Sequence, residues 1–261
     1  RPNRVRRVIA AILKVLGTLL LVALLTTLVL ACLFALYVKN DLSSQVDFSI
    51  ADFSLDQTTV IYYEDPDTGE NVVLQKLYGG ENRTWVSYEK LPKNLIYACV
   101  AIEDKRFFDH HGVDWITTMR ACIDIFLGKG DAGGSTITQQ LIKQRILSSE
   151  RSYKRKIQEA YLALQLEKIY SKEQIITAYL NTIALGGSNY GVKAAAYDYF
   201  GKDLSELTLR ECAMIAGITQ NPWQLNPRLN FYDRNKPERT NERTDTVLYR
   251  MYACNFITKE E

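Results

Sequence analysis

The sequence feature that most restricts the fold is an uncharged run of 24 residues from Val15 to Val38, rich in Leu, Val and Ala. As an α-helix this run would be about 36 Å long, enough to cross a bilayer core of about 30 Å with some tilt. We therefore predict a transmembrane anchor within a first segment of residues 1–39. A cleavable signal peptide is the alternative, but its apolar stretch is normally about 7–15 residues long and is followed by small residues. Here the run ends in Leu36-Tyr37-Val38, which favours an uncleaved anchor.

Basic residues flank only one end of this run. The five positive charges that precede it are carried by Arg1, Arg4, Arg6, Arg7 and Lys14. The positive-inside rule then predicts a cytoplasmic N-terminus and an extracytoplasmic remainder. That remainder holds 27 basic and 30 acidic residues, a net charge of −3, so no nucleic-acid-binding surface is expected. Because the sequence does not begin with Met, we expect further residues upstream.

The residues after the anchor divide into a short β segment and a long helical region. Residues 40–90 are predicted to form a juxtamembrane linker with a β-hairpin, in which strands at 58–63 and 71–78 flank a turn at 65–69. Residues 91–261 are predicted to form one mainly α domain. Its apolar residues recur with the helical period and predict helices at 93–109, 113–127, 135–148, 151–169, 171–182, 190–199 and 205–218. Predicted helix starts are Ser171 with Gln174, and Ser205 with Thr208.

Four of the five cysteines lie outside the anchor, and an exported chain could pair them in two disulfides. Cys99 and Cys212, however, lie within apolar helical patterns, so buried free thiols are favoured.

The first candidate site is the segment from Ala101 to Gly112. Glu103 follows an apolar run, so its carboxylate could face a partly desolvated cleft and serve in proton transfer. From this segment alone, a surface carboxylate paired with Lys105 or Arg106 is the alternative interpretation. The neighbouring His110 and His111 would point apart on a helix, and we expect a structural role for them.

The second candidate site begins at two glycines, Gly133 and Gly134. We predict that Ser135, which follows them, is the N-cap of a helix whose free backbone N–H groups attract phosphate. Further along the chain are Lys143 and then three residues spaced four apart, which share one helix face: Arg151, Arg155 and Glu159. Two guanidinium groups that end in a carboxylate suit a diphosphate beside a catalytic group. A ladder of surface salt bridges is the alternative.

Five segments, in chain order, together resemble a known family. They are Glu103-Asp104-x-x-Phe107-x-x-His110-x-Gly112, Gly133-Gly134-Ser135-Thr136-Ile137-Thr138-Gln139-Gln140, Arg155-Lys156-x-x-Glu159, residues 191–202, and Arg243-x-x-x-Val247-Leu248-x-Arg250-Met251. These resemble the motifs of the peptidoglycan glycosyltransferases, which are glycosyltransferase family 51. That family occurs in class A penicillin-binding proteins and monofunctional transglycosylases, and the resemblance covers residues 91–255.

The resemblance implies a lysozyme-like, mainly α fold of two lobes, with the smaller lobe resting in the membrane surface. It implies a membrane-anchored enzyme that polymerises lipid II, a disaccharide-peptide on a polyprenyl diphosphate, into β-1,4-linked glycan strands. The anomeric carbon would be inverted and polyprenyl diphosphate released, in bacterial cell wall synthesis. A lysozyme-like lytic enzyme that cleaves glycan strands is the alternative.

The resemblance also implies residue roles. Glu103 would be the general base, and Glu159 would assist departure of the diphosphate, directly or through a bound Mg or Mn ion; no tightly bound cofactor is expected. The residues implied to hold the diphosphate or its flanking sugar are Ser135, Gln140, Lys143, Arg151 and Arg155. Those implied to shape the cleft are Asp104, Phe107, His110 and Thr136.

The partners implied by the resemblance are lipid II, the growing glycan strand and membrane lipid. Cell wall synthesis proteins and a C-terminal transpeptidase domain are further expectations. The polar end from Thr258 to Glu261 follows the fifth motif directly, which fits the N-terminal part of a bifunctional enzyme.

Overall fold

The structure is a computed structural model that describes residues 2–38, 40, 59–64, 71–77, 84–129, 133–145 and 153–261. The predicted turn at 65–69 and the predicted site residue Arg151 lie outside these ranges. Backbone contacts divide the chain into two units, residues 1–47 and 48–261, and each is described by itself.

The first unit contains one long helix, α1 (Pro2–Tyr37). Its segment Arg6–Tyr37 has a mean hydropathy of 2.9 and is long enough to cross a membrane. After Lys14 the helix is apolar on all sides, and its membrane-spanning segment is not buried within the protein. A helix of this kind is stable when lipid surrounds it, so α1 fits the predicted membrane anchor.

The second unit begins with two strands, β1 (Thr59–Glu64) and β2 (Asn71–Leu77), which pair antiparallel. Thr59 lies opposite Leu77, and the register shifts between Ile61 and Tyr62. From residue 84 onward, the regular structure of the described residues is helical apart from two isolated β-bridges. The predicted mainly α class is therefore confirmed.

The helices of this unit are α2 (Lys93–Glu103), α3 (Trp115–Phe126), α4 (Ile137–Arg145), α5 (Tyr153–Ile169), α6 (Lys172–Thr182), α7 (Val192–Phe200), α8 (Leu209–Ile218) and α9 (Pro237–Ala253). In the described part of the unit, six of these helices form two packed groups. In one group α2, α8 and α9 pack against one another, and in the other α4 packs against α5 and α6. Because α2 ends in Glu103 and α4 begins at Ile137, directly after Thr136, the candidate motifs lie where these two groups meet.

Side-chain caps explain where two of the helices begin. Ser171 and Gln174 form the predicted capping box at the start of α6. The predicted helix at 205–218 is too long, because α8 begins only at Leu209 and Thr208 caps it by accepting from the N–H of Glu211. The residues Leu204–Glu206 form a separate 3₁₀ turn.

Two further helix predictions are wrong for identifiable reasons. The predicted helix at 93–109 stops at Glu103, because Asp104 leaves the helical region (φ −157°, ψ 73°) and turns its carboxylate towards α4. The helix α9 is absent from the prediction because its buried positions include Thr240 and Thr244, which hide the apolar period.

Cys99 in α2 and Cys212 in α8 are buried free thiols, as the sequence favours. Burial raises the pKa of the Cys212 thiol to about 12, so the thiol stays protonated.

The close approach of Gly112 to α5 generates a stability prediction. Gly112 has φ +86°, and a Cβ there would lie 2.4 Å from the backbone O of Ala163. Gly128 has a similar φ of +68°, but no atom of the described residues lies within 4 Å of its would-be Cβ. We expect Gly112→Ala to lower the free energy of unfolding by about 2–4 kcal/mol, the sum of left-handed strain and steric overlap.

Gly128→Ala is the matched control, since it adds the same strain without the overlap, and we expect it to cost about 1 kcal/mol. Denaturant titration of the full chain in detergent measures both. Equal losses in the two variants would contradict the close approach of Gly112 to α5.

Candidate active site

The centre of the site is the carboxylate of Glu103, the last residue of α2. Its Oε2 accepts a hydrogen bond from Nε2 of Gln140 in α4 at 2.9 Å. Its Oε1 accepts from the hydroxyl of Thr219, directly after α8, at 2.5 Å. Neutral donors from the two helix groups therefore hold the two oxygens of this carboxylate.

The Gln140 amide is also held on the side away from Glu103, by Tyr179. Tyr179 in α6 is fully buried, and its hydroxyl donates to Oε1 of Gln140 at 3.1 Å. Burial, and then the nearby charge of Glu103, raises the pKa of Tyr179 well above its usual value, so the phenol keeps its proton. A carboxylate only accepts, so the amide NH₂ of Gln140 faces Glu103, and the phenol of Tyr179 donates to the amide oxygen on the other side.

Asp104 connects the end of α2 to the start of α4. Its Oδ2 accepts from the backbone N–H of Ile137 at 3.0 Å and lies 2.9 Å from Nε2 of His110. Because the Asp104 side chain is only 3% exposed, these contacts replace the water that the carboxylate loses on folding. The hydrogen bond from Ile137 to Asp104 places the start of α4 beside the end of α2, and this brings Gln140 close to Glu103.

The predicted N-cap of α4, Ser135, is wrong by one residue. The hydroxyl oxygen of Thr136 accepts from the N–H of Gln139 at 3.2 Å, and Oε1 of Gln139 accepts from the N–H of Thr136 at 2.9 Å. This reciprocal pair is a capping box. The N–H groups of Ile137 and Gln139 are thus bonded within the protein, so the predicted phosphate site on free N–H groups loses two of its donors.

The second carboxylate, Glu159 in α5, is 1% exposed and lies among cations. Its Oε2 is 2.7 Å from Nζ of Lys156, and its Oε1 is 3.1 Å from Nε of Arg155. Lys156 also donates to the hydroxyl oxygen of Ser135 at 2.6 Å. Two cations and one anion leave this cluster with a net positive charge.

Both carboxylates line one cavity of about 510 Å³. Its polar lining residues include Glu103, Ser135, Gln140, Lys143, Glu159, Thr219, Arg243 and Arg250. A second cavity of about 220 Å³ shares Glu103, Ser135 and Arg250 with the first. It is also lined by Asp104, Thr136 and Arg120. Glu103 therefore faces two neighbouring cavities, one of which has Glu159 and Lys143 in its wall.

Three other predicted residues, Phe107, His110 and Arg155, lie behind the cavity walls. Phe107 is fully buried, with Nζ of Lys172 4.3 Å from its ring centroid, and His110 is buried edge-on to it. These two are not among the residues that line either cavity, so they support the cleft from the core. Arg155 lies beside Glu159 and is likewise not among the lining residues of these two cavities.

Several lining residues were not singled out as site residues from the sequence, and three of them lie in the larger cavity beside Glu103, namely Thr219, Arg243 and Arg250. Arg243 and Arg250 in α9 belong to the fifth motif, and their place in that motif is the sequence signal that could have identified them as site residues. Burial lowers the pKa of Arg243, while the charge of Glu103 acts in the opposite direction. Thr219 belongs to no motif, and its proximity to Glu103 depends on how α8 packs against α2.

The described residues do not form a metal site of their own. In the described part of the chain, no group of three or more His, Cys, Asp or Glu side chains could hold a metal ion. Both oxygens of Glu159 already lie within 3.1 Å of a cationic side chain. An anionic ligand in the larger cavity would instead contact the cationic side chains of its wall, Lys143, Arg243 and Arg250.

An ion pair connects the loop after Glu103 to α3. Arg106 donates to both oxygens of Asp114, the N-cap of α3, whose side chain also accepts from the N–H and hydroxyl of Thr117. The Arg106 guanidinium, followed by the Thr117 donors, holds the pKa of Asp114 well below its usual value although burial opposes this.

Comparison with known proteins identifies the family. The family model described as Transglycosylase matches residues 70–252, and the chain belongs to that family. The resemblance predicted from the five motifs is thereby confirmed: the chain carries a peptidoglycan glycosyltransferase domain.

The curated relatives are penicillin-binding proteins. Penicillin-binding protein 1A of Clostridium perfringens (strain 13 / Type A) is 40% identical over 232 residues, which cover 87% of this chain and 33% of that protein. Penicillin-binding protein 1A of Escherichia coli (strain K12) is 41% identical over 185 residues, which cover 70% of this chain and 21% of that protein. The chain thus spans a third or less of the length of these two relatives.

Among solved structures, the crystal structure of penicillin-binding protein 1A from Haemophilus influenzae is 28% identical to the chain. It matches 79% of this chain and 20% of that chain with a TM-score of 0.40. A likeness of this size does not establish the fold, which rests on the helices described above.

The Arg106–Asp114 pair generates a prediction about stability and pH. We expect Asp114→Ala to lower the free energy of unfolding by about 1 kcal/mol at pH 7, because α3 loses its N-cap. A depressed pKa in the folded state stabilises the fold above the unfolded value of about 3.9, and this contribution is lost as the pH falls below it. The difference between wild type and variant therefore shrinks below about pH 4, which denaturant titrations at several pH values measure.

Asp245→Ala is the control, because Asp245 pairs with Arg210 at 2.8 Å on an exposed surface. We expect a change within about 0.5 kcal/mol at every pH. A wild-type-to-Asp114→Ala difference that grows on acidification would contradict the ion pair.

Proposed function

We propose that the chain is a membrane-anchored peptidoglycan glycosyltransferase that polymerises lipid II into β-1,4-linked glycan strands. The anomeric carbon is inverted and polyprenyl diphosphate is released, in bacterial cell wall synthesis. The observation that carries this proposal is one cavity with two carboxylates in different surroundings. Neutral donors hold Glu103, whereas Lys156 and Arg155 surround Glu159.

Glu103 is the general base in this proposal. Its carboxylate is half-buried, faces both cavities and accepts hydrogen bonds from Gln140 and Thr219. These contacts leave lone pairs free, because a carboxylate has about four acceptor sites. The carboxylate takes the proton of the acceptor sugar's 4-hydroxyl as that oxygen attacks the anomeric carbon.

The cations of the larger cavity bind the leaving diphosphate. Lys143 and Arg243 line the wall that contains Glu159, and Arg155 and Lys156 give the Glu159 cluster its positive charge. Fixed cations in a partly desolvated cleft stabilise the charge that develops on a departing diphosphate. Arg151 is proposed to join them on the strength of the motif resemblance.

The arrangement suits an inverting displacement. In such a reaction the base and the leaving group lie on opposite faces of the sugar ring, which requires two separated groups. Glu103 is the last residue of α2 and Glu159 belongs to α5, so the two helix groups supply them separately. The acceptor sugar then occupies the cavity beside Asp104 and Thr136, and the donor diphosphate the cavity beside Lys143.

A divalent cation bound through Glu159 stays a prediction of the resemblance. The contacts of Glu159 with Lys156 and Arg155 favour charge compensation by side chains instead. No step of the proposed reaction therefore passes through a metal ion.

Two apolar surfaces support action at a membrane. The helix α1 provides the anchor, and its basic N-terminal residues favour a cytoplasmic N-terminus with the enzymatic unit outside. In the second unit, α3 has only Ala121 buried among its residues. It exposes large apolar side chains, namely Trp115, Ile116, Met119, Ile123, Ile125 and Phe126. An exposed apolar patch of this kind fits the lobe that rests in the membrane surface, where a polyprenyl substrate is found.

The proposed partners follow from the relatives. Because the relatives are called penicillin-binding proteins and extend well beyond the matched region, we propose that a transpeptidase domain works with this one. The growing glycan strand, membrane lipid and other cell wall synthesis proteins are the further proposed partners.

Replacement of Glu103 tests the role of the base. Gln at this position has the same shape and keeps one acceptor oxygen, but an NH₂ group replaces the other oxygen and the side chain does not take up a proton. We expect Glu103→Gln to lower the rate of lipid II polymerisation at least about a hundredfold, since general base catalysis contributes that much or more. The assay follows labelled lipid II into polymer by the full chain in detergent.

Glu238→Gln is the matched control, because Glu238 is exposed in the first turn of α9 and should leave the rate unchanged. A Glu103→Gln variant with wild-type activity would overturn the assignment. Release of soluble fragments from finished cell wall, without consumption of lipid II, would instead support the lytic alternative.

A further inference from the structure

The position of Thr219 points to a role that no motif assigns. Thr219 directly follows α8 and is half-buried. Its hydroxyl oxygen is 2.5 Å from Oε1 of Glu103 and 2.8 Å from the backbone O of Ala216. Glu103 and Thr219 are 116 residues apart in sequence, so the contact exists only because α8 packs against α2.

A threonine hydroxyl has one proton, and here it faces two acceptors. When Glu103 is ionised, the carboxylate is the stronger acceptor, because a charge-assisted hydrogen bond is roughly twice as strong as a neutral one. The 2.5 Å separation agrees with the range of about 2.5–2.7 Å for a hydroxyl on a carboxylate. When Glu103 is protonated, this advantage is lost and the Ala216 carbonyl competes for the hydroxyl proton.

The simpler interpretation is that Thr219 only bonds back to its own helix. Threonine hydroxyls commonly donate to the carbonyl three or four residues earlier, and Thr246 does so to Glu242 at 2.8 Å. This interpretation explains the Ala216 contact but not the short distance to Glu103. It predicts that Thr219 and Thr246 respond alike to loss of the hydroxyl.

The two sides of Glu103 are held by different helix groups. Tyr179 fixes the amide of Gln140, and this amide holds Oε2 from the α4–α6 group. Thr219 holds Oε1 from the group that contains α8. Without the Thr219 hydroxyl, only the hydrogen bond from Gln140 would remain of these two. The carboxylate of Glu103 could then rotate about that remaining bond.

We propose that Thr219 is a positioning residue for the general base. Its hydroxyl holds the ionised carboxylate of Glu103 in the orientation that receives the proton, and it turns to the carbonyl of Ala216 once Glu103 is protonated. In the step it serves, the O–H bond of the acceptor 4-hydroxyl breaks and its proton goes to Glu103. The oxygen's electron pair forms the new bond to the anomeric carbon, and the diphosphate leaves with the old bonding pair.

This proposal rests on the proposed function of Glu103 as the base. The charged side chains that share the larger cavity with Glu103 are Lys143, Glu159, Arg243 and Arg250. Among the described residues, the hydroxyl of Thr219 bonds to Glu103 and to the carbonyl of Ala216 and to none of these four. Loss of this hydroxyl should therefore affect the chemical step more than the binding of lipid II.

The test compares three variants of the full chain in detergent, with labelled lipid II as substrate. Thr219→Val keeps the shape of the side chain and removes the hydroxyl, and we expect kcat to fall about tenfold with KM within about twofold. Thr219→Ser restores the hydroxyl, and we expect kcat within about threefold of wild type. Thr246→Val removes an equivalent back-bonding hydroxyl away from Glu103 and should leave both constants unchanged.

Three results would overturn the proposal. The first is a Thr219→Val variant with wild-type kcat in a preparation where Glu103→Gln is inactive, which leaves the proposed function intact. The second is a rise in KM without a fall in kcat, which would mean a role in substrate binding. The third is a wild-type chain that does not polymerise lipid II, which overturns the proposed function and this proposal with it.

Discussion

The buried carboxylate of Asp104 is the constraint on which the rest of the site depends. A carboxylate that is almost completely removed from water must find donors within the protein. Asp104 finds them in His110 and in the first N–H of α4, so the chain leaves the helical conformation directly after Glu103. The hydrogen bond from Ile137 to Asp104 places the start of α4 beside the end of α2. Gln140 lies one turn further along α4, and it therefore reaches Glu103, the last residue of α2.

The two carboxylates of the site lie in different electrostatic surroundings. Neutral donors from Gln140 and Thr219 hold Glu103, and in the proposed function this carboxylate takes up the proton of the acceptor. The cations Lys156 and Arg155 lie beside Glu159 and outnumber its single negative charge, so this cluster is net positive although it contains an acid. A reaction that takes a proton on one side and releases a diphosphate on the other needs such a division. The second unit carries a net negative charge overall, so the positive cavity is a local arrangement and not a property of the whole surface.

The sequence predicts those parts of the molecule that depend on local patterns. The apolar run predicts α1, and Ser171 with Gln174 predicts the start of α6, because caps act over three residues. The motif order predicts the family and brings Glu103 and Glu159 forward as candidates. The errors have nonlocal causes: α2 ends early because Asp104 bonds to α4, and α9 was missed because threonines occupy its buried face. Thr219 could not be found, since a contact across 116 residues leaves no local signal.

The central claim is that this cavity transfers a glycan from a lipid diphosphate and does not cleave a finished strand. The most direct measurement counts products from labelled lipid II incubated with the full chain in detergent. One polyprenyl diphosphate should be released for each glycosidic bond formed, and the new bonds should be in the β configuration. Release of soluble disaccharide-peptide fragments without any polyprenyl diphosphate would contradict the account.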